Sequence, residues 1–217
     1  MSKRIISISY LMFCRSCLLV LVVAFSLSGC ESGGTCIPKK NYSYINPNLE
    51  IAKIGRIAVV ELKNDSKYPQ ASSDITDALF QALQKKQLFG LSIVRQNDPA
   101  WRSLQLEADA TYTLEQTTSI RESLKCDGIL IGTITEYRPY PHTAVGLRLK
   151  ILDLRDGQLL WALEQIWDIT DSQTEYSIRR YYKSEKSREY SLQKEHLVSV
   201  SPMEFIRFVS SEVADTL

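Results

Sequence analysis

The sequence predicts an α/β fold: a single domain built on a mixed sheet, with an antiparallel three-stranded meander and packed helices, in the order β-α-β-α-β-β-β-α. Three observations predict it. Short β-branched runs alternate with helix-period segments in the first half. Three strand-like segments then follow one another with only turns between them. A capped amphipathic helix closes the chain. The 217 residues are 44% hydrophobic and 24% charged, enough apolar material to bury a core without disulfides.

The chain opens with a segment that is not part of this fold. Lys3 and Arg4 form a positive start, Leu18 to Phe25 is unbroken and apolar, and Ser26, Leu27, Ser28 and Gly29 lead to Cys30. This is the form of a secretory signal. The apolar run is shorter than the roughly 20 residues needed to cross a bilayer, and lengthening it would bury Arg15. Leu27-Ser28-Gly29-Cys30 resembles the lipobox of bacterial lipoproteins, which implies cleavage before Cys30 and acylation of its thiol. Met12, with Arg15 as its positive charge, offers a second start. Residue 31 is Glu rather than the Asp that retains enteric-type lipoproteins in the inner membrane. The resemblance thus implies the periplasmic face of the outer membrane. The expected divisions are a signal peptide over 1–29, a lipidated flexible tether over 30–50 and the α/β domain over 51–217. Ser32, Gly33 and Gly34 favour flexibility, and Pro38, Asn46 and Pro47 break regular structure. Twenty such residues reach about 25 Å root-mean-square.

Within the domain, Arg56 to Leu62 (RIAVVEL) is a buried strand. Asp74 is positioned to cap a helix whose apolar face is Ile75, Ala78, Leu79, Ala82 and Leu83, with Lys85 and Lys86 near its end and Gly90 as its stop. Leu91 to Arg95 forms a second strand, and residues 98–106 hold a short extra helix. Thr113 and Gln116 have capping-box spacing ahead of Ile120 and Leu124. Ile129 to Tyr137 is a strand. Val145, Leu147, Leu149 and Ile151 alternate with Gly146, Arg148 and Lys150, so the next strand is half-buried. Asp156-Gly157 marks a hairpin turn, after which Leu159, Trp161, Leu163 and Trp167 alternate along the third meander strand. Ser201, Pro202 and Glu204 begin a last helix that buries Ile206, Val209 and Val213.

The RIAVVEL strand, the amphipathic helix, CDGILIGTITEY and DGQLLW occur in that order. Together they resemble the periplasmic lipoprotein domain of the curli-secretion lipoproteins (CsgG-like) and the penicillin-binding-protein activators, whose general fold the N-terminal domain of TolB shares. The resemblance spans roughly residues 51–217. It implies a non-enzymatic accessory protein that binds or regulates an envelope machine, or, alternatively, a ring-forming subunit of an outer-membrane secretion apparatus. Curli-type members insert long hairpins into the membrane. The connections at residues 137–142 and 153–158 are too short for that.

No catalytic or cofactor signature accompanies these elements. There is no G-x-S-x-G, P-loop or H-E-x-x-H. His142 and His196 lack metal-ligand partners at usable spacing, and Asp153 with Asp156 suits a turn. Gly128 and Gly132 suit close packing inside a strand. Cys126 reads as a small buried side chain, with no obligatory disulfide to Cys36. With 26 Lys and Arg against 25 Asp and Glu, nothing recommends nucleic acid as a partner. No catalytic residue, metal, cofactor or small-molecule substrate is expected. The expected partners are the membrane, through the lipid on Cys30, and an envelope protein or further copies of the chain.

Residues 171–200 interleave tyrosines with basic residues. Tyr176, Arg179, Arg180, Tyr181, Tyr182 and Tyr190 are the candidate partner contact, since Tyr and Arg are favoured at binding hot spots. The alternative is a solvated helix or loop, because nearby glutamates nearly cancel the charge.

Overall fold

A computed structural model describes residues 42–47, 53–183 and 201–217. In chain order the elements are β1 (Ser43–Ile45), β2 (Arg56–Val60), β3 (Lys63–Asn64), α1 (Ala71–Lys86), β4 (Gly90–Val94), α2 (Pro99–Ser103), α3 (Leu114–Leu124), β5 (Gly128–Arg138), β6 (Ala144–Asp153), β7 (Leu159–Asp168), α4 (Ser172–Lys183) and α5 (Pro202–Ala214).

The strands form one mixed sheet in the order β1-β7-β6-β5-β2-β4, with β3 also paired to β5. Parallel pairing joins β2 to β4 and to β5, and β3 to β5. Antiparallel pairing joins β5 to β6, β6 to β7 and β7 to β1. The expected mixed sheet with an antiparallel meander is therefore the observed architecture.

Side-chain alternation sorts the sheet into two faces. On the first, Ile57, Val59, Leu130, Ile134, Leu147, Leu149, Ile151 and Trp161 pack with Ile75 and Leu79 of α1 and with Phe205, Phe208, Val209 and Val213 of α5. On the second, Ala58, Val60, Val94, Ile129 and Ile131 pack with Ile120 of α3, Leu106, Cys126 and Leu154. Trp101 of α2 and the neighbouring Leu104 lie partly buried against that second cluster. The second cluster backs β2, β4, the first half of β5 and, through the partly buried Leu152, the end of β6.

The caps explain most boundaries. Thr113 and Gln116 form the full reciprocal capping box of α3. Ser201 accepts from the Glu204 N–H, and Pro202 begins α5. Gly157 takes φ +74° in the β6–β7 turn, a conformation that glycine adopts without strain. Gly132 sits where a Cβ would lie 2.5 Å from the Arg148 carbonyl oxygen and from Leu149 Cδ2, so the close strand approach requires glycine there.

Four expectations need correction. Helix α1 begins at Ala71, so Asp74 lies in its first turn and is not its cap. The earlier start follows from polar ties to the segment after β2. Ser72 Oγ donates to the Leu62 carbonyl at 2.6 Å, and the Leu62 N–H donates to Thr76 Oγ1 at 3.1 Å. The helix ends at Lys86 with Gln87 in the left-handed region, while Gly90 is the first residue of β4. Residues 43–45, placed in the tether by the sequence, form β1 at the sheet edge. Polar residues after β7 form helix α4, with Ile178 and Tyr182 in the first core cluster.

Candidate functional site

Helix α4 carries most of the expected contact residues. Its buried side follows from helical spacing: Thr174, Ile178 and Tyr182 recur at i, i+4 and i+8 and are all buried. Tyr182 is 2% exposed. Tyr181 is half-buried, edge-on to Tyr182 at 4.8 Å and to Phe208 of α5 at 5.7 Å between ring centroids. These two tyrosines therefore hold α4 to the domain, and the expectation that they form an exposed contact is corrected. Tyr176 is 49% exposed. Arg179 pairs with Glu175 one turn earlier, and Arg180 Nη2 lies 3.6 Å from Glu212 Oε1 of α5. The exposed remainder of the expected contact is thus Tyr176 with two arginines that already face carboxylates. Tyr190, Cys30, Cys36 and His196 lie outside the described residues.

A different surface is prominent, and sequence reasoning did not assign it a role. Among the described residues, no helix covers the second sheet face behind β6, β7 and β1. Register places Gly146, Arg148 and Lys150 of β6 on that face, opposite Ile166, Glu164 and Ala162 of β7, with Tyr44 of β1 beside Ala162. Ile166 is 58% exposed and Tyr44 is 48% exposed. Arg148 Nη2 meets Glu164 Oε1 at 2.8 Å across the strand pair. The alternation of Arg148 and Lys150 with Leu147, Leu149 and Ile151 marked β6 as having a polar face. What lay opposite it depended on β7 and β1, which a single strand does not reveal.

Two grooves adjoin this surface and share Ala108, Asp109 and Gly132. One, of about 600 Å³, lies between the segments that follow β2 and β4 and includes Glu61, Lys63, Gln96 and Trp101. There Lys63 Nζ donates to Asp109 Oδ2 at 3.2 Å, which holds the lysine pKa above its ordinary value, and the Gln96 N–H donates to Glu61 Oε2 at 3.1 Å. The other, of about 570 Å³, lies over the open face and includes Tyr42, Tyr44, Thr133, Arg148, Lys150, Ala162 and Glu164.

The residues weighed for chemistry are placed as follows. Burial pushes the thiol of Cys126 up to about 11, and this cysteine is free. Burial also raises the Asp153 carboxyl, but a side-chain hydrogen bond from Arg155, the Arg155 backbone N–H and the arginine charge together outweigh it. Its pKa lies below the ordinary aspartate value. Arg155 Nη2 is 2.5 Å from Asp153 Oδ2. The pair ties down the β6–β7 turn, so Asp153 has a structural duty. His142 is exposed in the β5–β6 turn. Among the described residues no cluster of three or more His, Cys, Asp or Glu could hold a metal ion. No described helix is long and apolar enough to cross a membrane.

No family model and no curated protein matches the chain. Solved structures similar to it include the PelC dodecamer of Paraburkholderia phytofirmans, 17% identical with a TM-score of 0.43, matched over 58% of this chain and 78% of that one. Lipoprotein GNA1162 of Neisseria meningitidis is 19% identical with a TM-score of 0.41, over 52% of this chain and 82% of that one. The C-terminal domain of LpoB from Salmonella enterica is 19% identical with a TM-score of 0.38, again over 52% and 82%.

Proposed function

We propose that this chain is a lipid-anchored, non-enzymatic accessory protein of the bacterial envelope, held through Cys30 to the periplasmic face of the outer membrane, that binds or regulates a cell-wall synthase or an export apparatus. The observation that carries the binding role is the open sheet face, with Ile166 and Tyr44 exposed on a surface otherwise built from small and charged positions. Apolar and aromatic anchors within a polar surround are the anatomy of a protein contact. The lipobox at residues 27–30 supports the anchor. Most charged residues of the grooves are engaged in pairs such as Lys63 with Asp109 and Arg148 with Glu164, which suits recognition better than turnover.

The test combines anchor and surface. Cys30→Ser releases the protein from membranes and abolishes labelling by palmitate. A photo-reactive residue at position 166, in cells, yields one discrete cross-linked species. The same residue at Gln81, on the outer side of α1, yields none. A ladder of cross-links to further copies of the chain would favour the ring-subunit reading. Equal cross-linking from both positions, or persistent palmitate labelling of the Cys30→Ser protein, would defeat the proposal.

A further inference from the structure

The groove over the open face contains two polar groups whose hydrogen-bonding capacity the described fold does not fully use. Lys150, on β6, is half-buried. Its Nζ donates to the Ala110 carbonyl at 3.3 Å and forms no ion pair among the described residues. An ammonium has three donors, so two are left over. Burial holds its pKa below the ordinary lysine value, and the nearby Asp109 charge offsets this only in part. The two carboxylates that line the same groove are engaged elsewhere. Asp109 faces Lys63 at 3.2 Å, and Glu164 faces Arg148 at 2.8 Å.

The second group is the Thr133 hydroxyl. Thr133 is 2% exposed, lines the same groove, and its Oγ1 has no hydrogen-bond partner among the described residues. Register sets Thr133 directly opposite Arg148 and Ile131 opposite Lys150, so Thr133 and Lys150 share one face of adjacent strands. A buried hydroxyl without a partner destabilises a fold, and partial burial of an ammonium without a counter-charge adds a smaller cost. Both lie on the groove side of adjacent strands and suit an acceptor that approaches from the groove. The acceptor must be negative to suit Lys150, and able to take a hydroxyl hydrogen to suit Thr133. A carboxylate meets both requirements. Around it Tyr44, Leu159 and Ala162 offer apolar surface for the chain that carries it.

We propose that this groove binds an acidic segment of a partner protein, with a carboxylate seated between Lys150 Nζ and Thr133 Oγ1 and apolar neighbours laid against Tyr44 and Ala162. The inference rests on the partner-binding reading and specifies the chemistry of the partner. It also gives the Thr133 hydroxyl a use: valine has nearly the same shape and leaves no hydroxyl unpaired, so stability alone would favour valine.

The test uses the detergent-solubilised full chain and a blocked hexapeptide of alternating leucine and glutamate, with the leucine–glutamine version as control. Titration calorimetry gives affinity, and backbone amide shifts give location. The glutamate peptide binds and shifts the amides of Thr133 and Lys150, and the glutamine peptide does not. Lys150→Met keeps the apolar stem and lowers affinity about tenfold or more, the scale of a charge-assisted hydrogen bond. Thr133→Val weakens binding while raising the thermal midpoint. That combination separates a binding role from a structural one, since a loss of binding through misfolding would lower the midpoint. Equal affinity for both peptides, or unchanged binding by Lys150→Met, overturns the proposal. So does inorganic phosphate that binds as tightly as the peptide through the same two residues. Cross-linking at position 166 without peptide binding sinks this inference and leaves the accessory role standing. Peptide binding without cross-linking does the reverse.

Discussion

Tyr182 provides the sharpest test of the corrected surface, because sequence and structure assign it opposite environments. It is 2% exposed within the core cluster, against Tyr181 and close to the Phe208 that belongs to α5. Tyr182→Ala removes an aromatic ring from a packed site where Tyr181 and α5 are held by their own contacts, so the space closes only in part. Aromatic-to-alanine changes in such sites cost about 3–5 kcal/mol. For a domain of this size each kcal/mol lowers the midpoint by roughly 2–4 °C, giving a fall of roughly 6–20 °C. Tyr176, six residues earlier on the same helix, is 49% exposed, and its replacement by Ala changes stability by about 0.5 kcal/mol or less. Thermal unfolding and urea titration of both variants measure the difference. The urea midpoint of Tyr182→Ala falls while the slope holds, because the surface exposed on unfolding is nearly unchanged. A Tyr182→Ala protein that melts within 1 °C or so of the parent, while losing an envelope partner, would refute the core assignment and restore the tyrosine as a surface contact.

Three further outcomes follow from the same structure. Gly132→Ala places a methyl group 2.5 Å from a backbone oxygen that cannot rotate away, so it destabilises by about 1–3 kcal/mol, read from the urea midpoint. Cys126, buried and with a thiol pKa near 11, is inert to aromatic disulfide reagents at pH 8 in the native protein. It reacts fully in denaturant, and rapid native labelling would contradict its placement. The Asp153 carboxyl has a folded pKa below its unfolded value, so its pairing with Arg155 stabilises at neutral pH. That contribution is lost as pH falls through the folded pKa. The stability gap between the parent and Asp153→Asn therefore narrows below about pH 3.9, and a gap constant down to pH 2 argues against the pair.

The elements that local chemistry specifies were legible. The capping box at Thr113 and Gln116, the Ser201–Pro202 start of α5, the Asp156-Gly157 turn and the alternation of β6 and β7 each declare themselves within a few residues. Elements fixed by distant partners were not. Strand β1 is three residues just before the chain-breaking Asn46-Pro47, and it exists because β7 offers an edge more than a hundred residues later. The start of α1 depends on Leu62, which no helix propensity encodes. Helix α4 was misread because its charge and tyrosine content outweighed a signal that was present, the spacing of Thr174, Ile178 and Tyr182. Of the open face, only the β6 half could be read, since Thr133 and Lys150 are brought together by a pairing register that a single strand does not contain.

The docking of β1 has a consequence for how the protein can be handled. Ser43–Ile45 pairs with Leu163, Ala162 and Trp161, and Asn46 extends the seal through its backbone N–H to Leu160 at 2.9 Å and its amide to Leu159 at 3.1 Å. Beneath that cover β7 runs from Leu159 to Asp168, ten residues rich in leucine, tryptophan and isoleucine. A truncation beginning after Asn46 leaves the helices and the remaining six strands intact, yet lays bare the first half of that run with its amides and carbonyls unpaired. A long apolar edge recruits strands from other molecules. Such a shortened chain would fold and then clump, and a worker trimming the N-terminus for crystals or spectroscopy should cut before Tyr42.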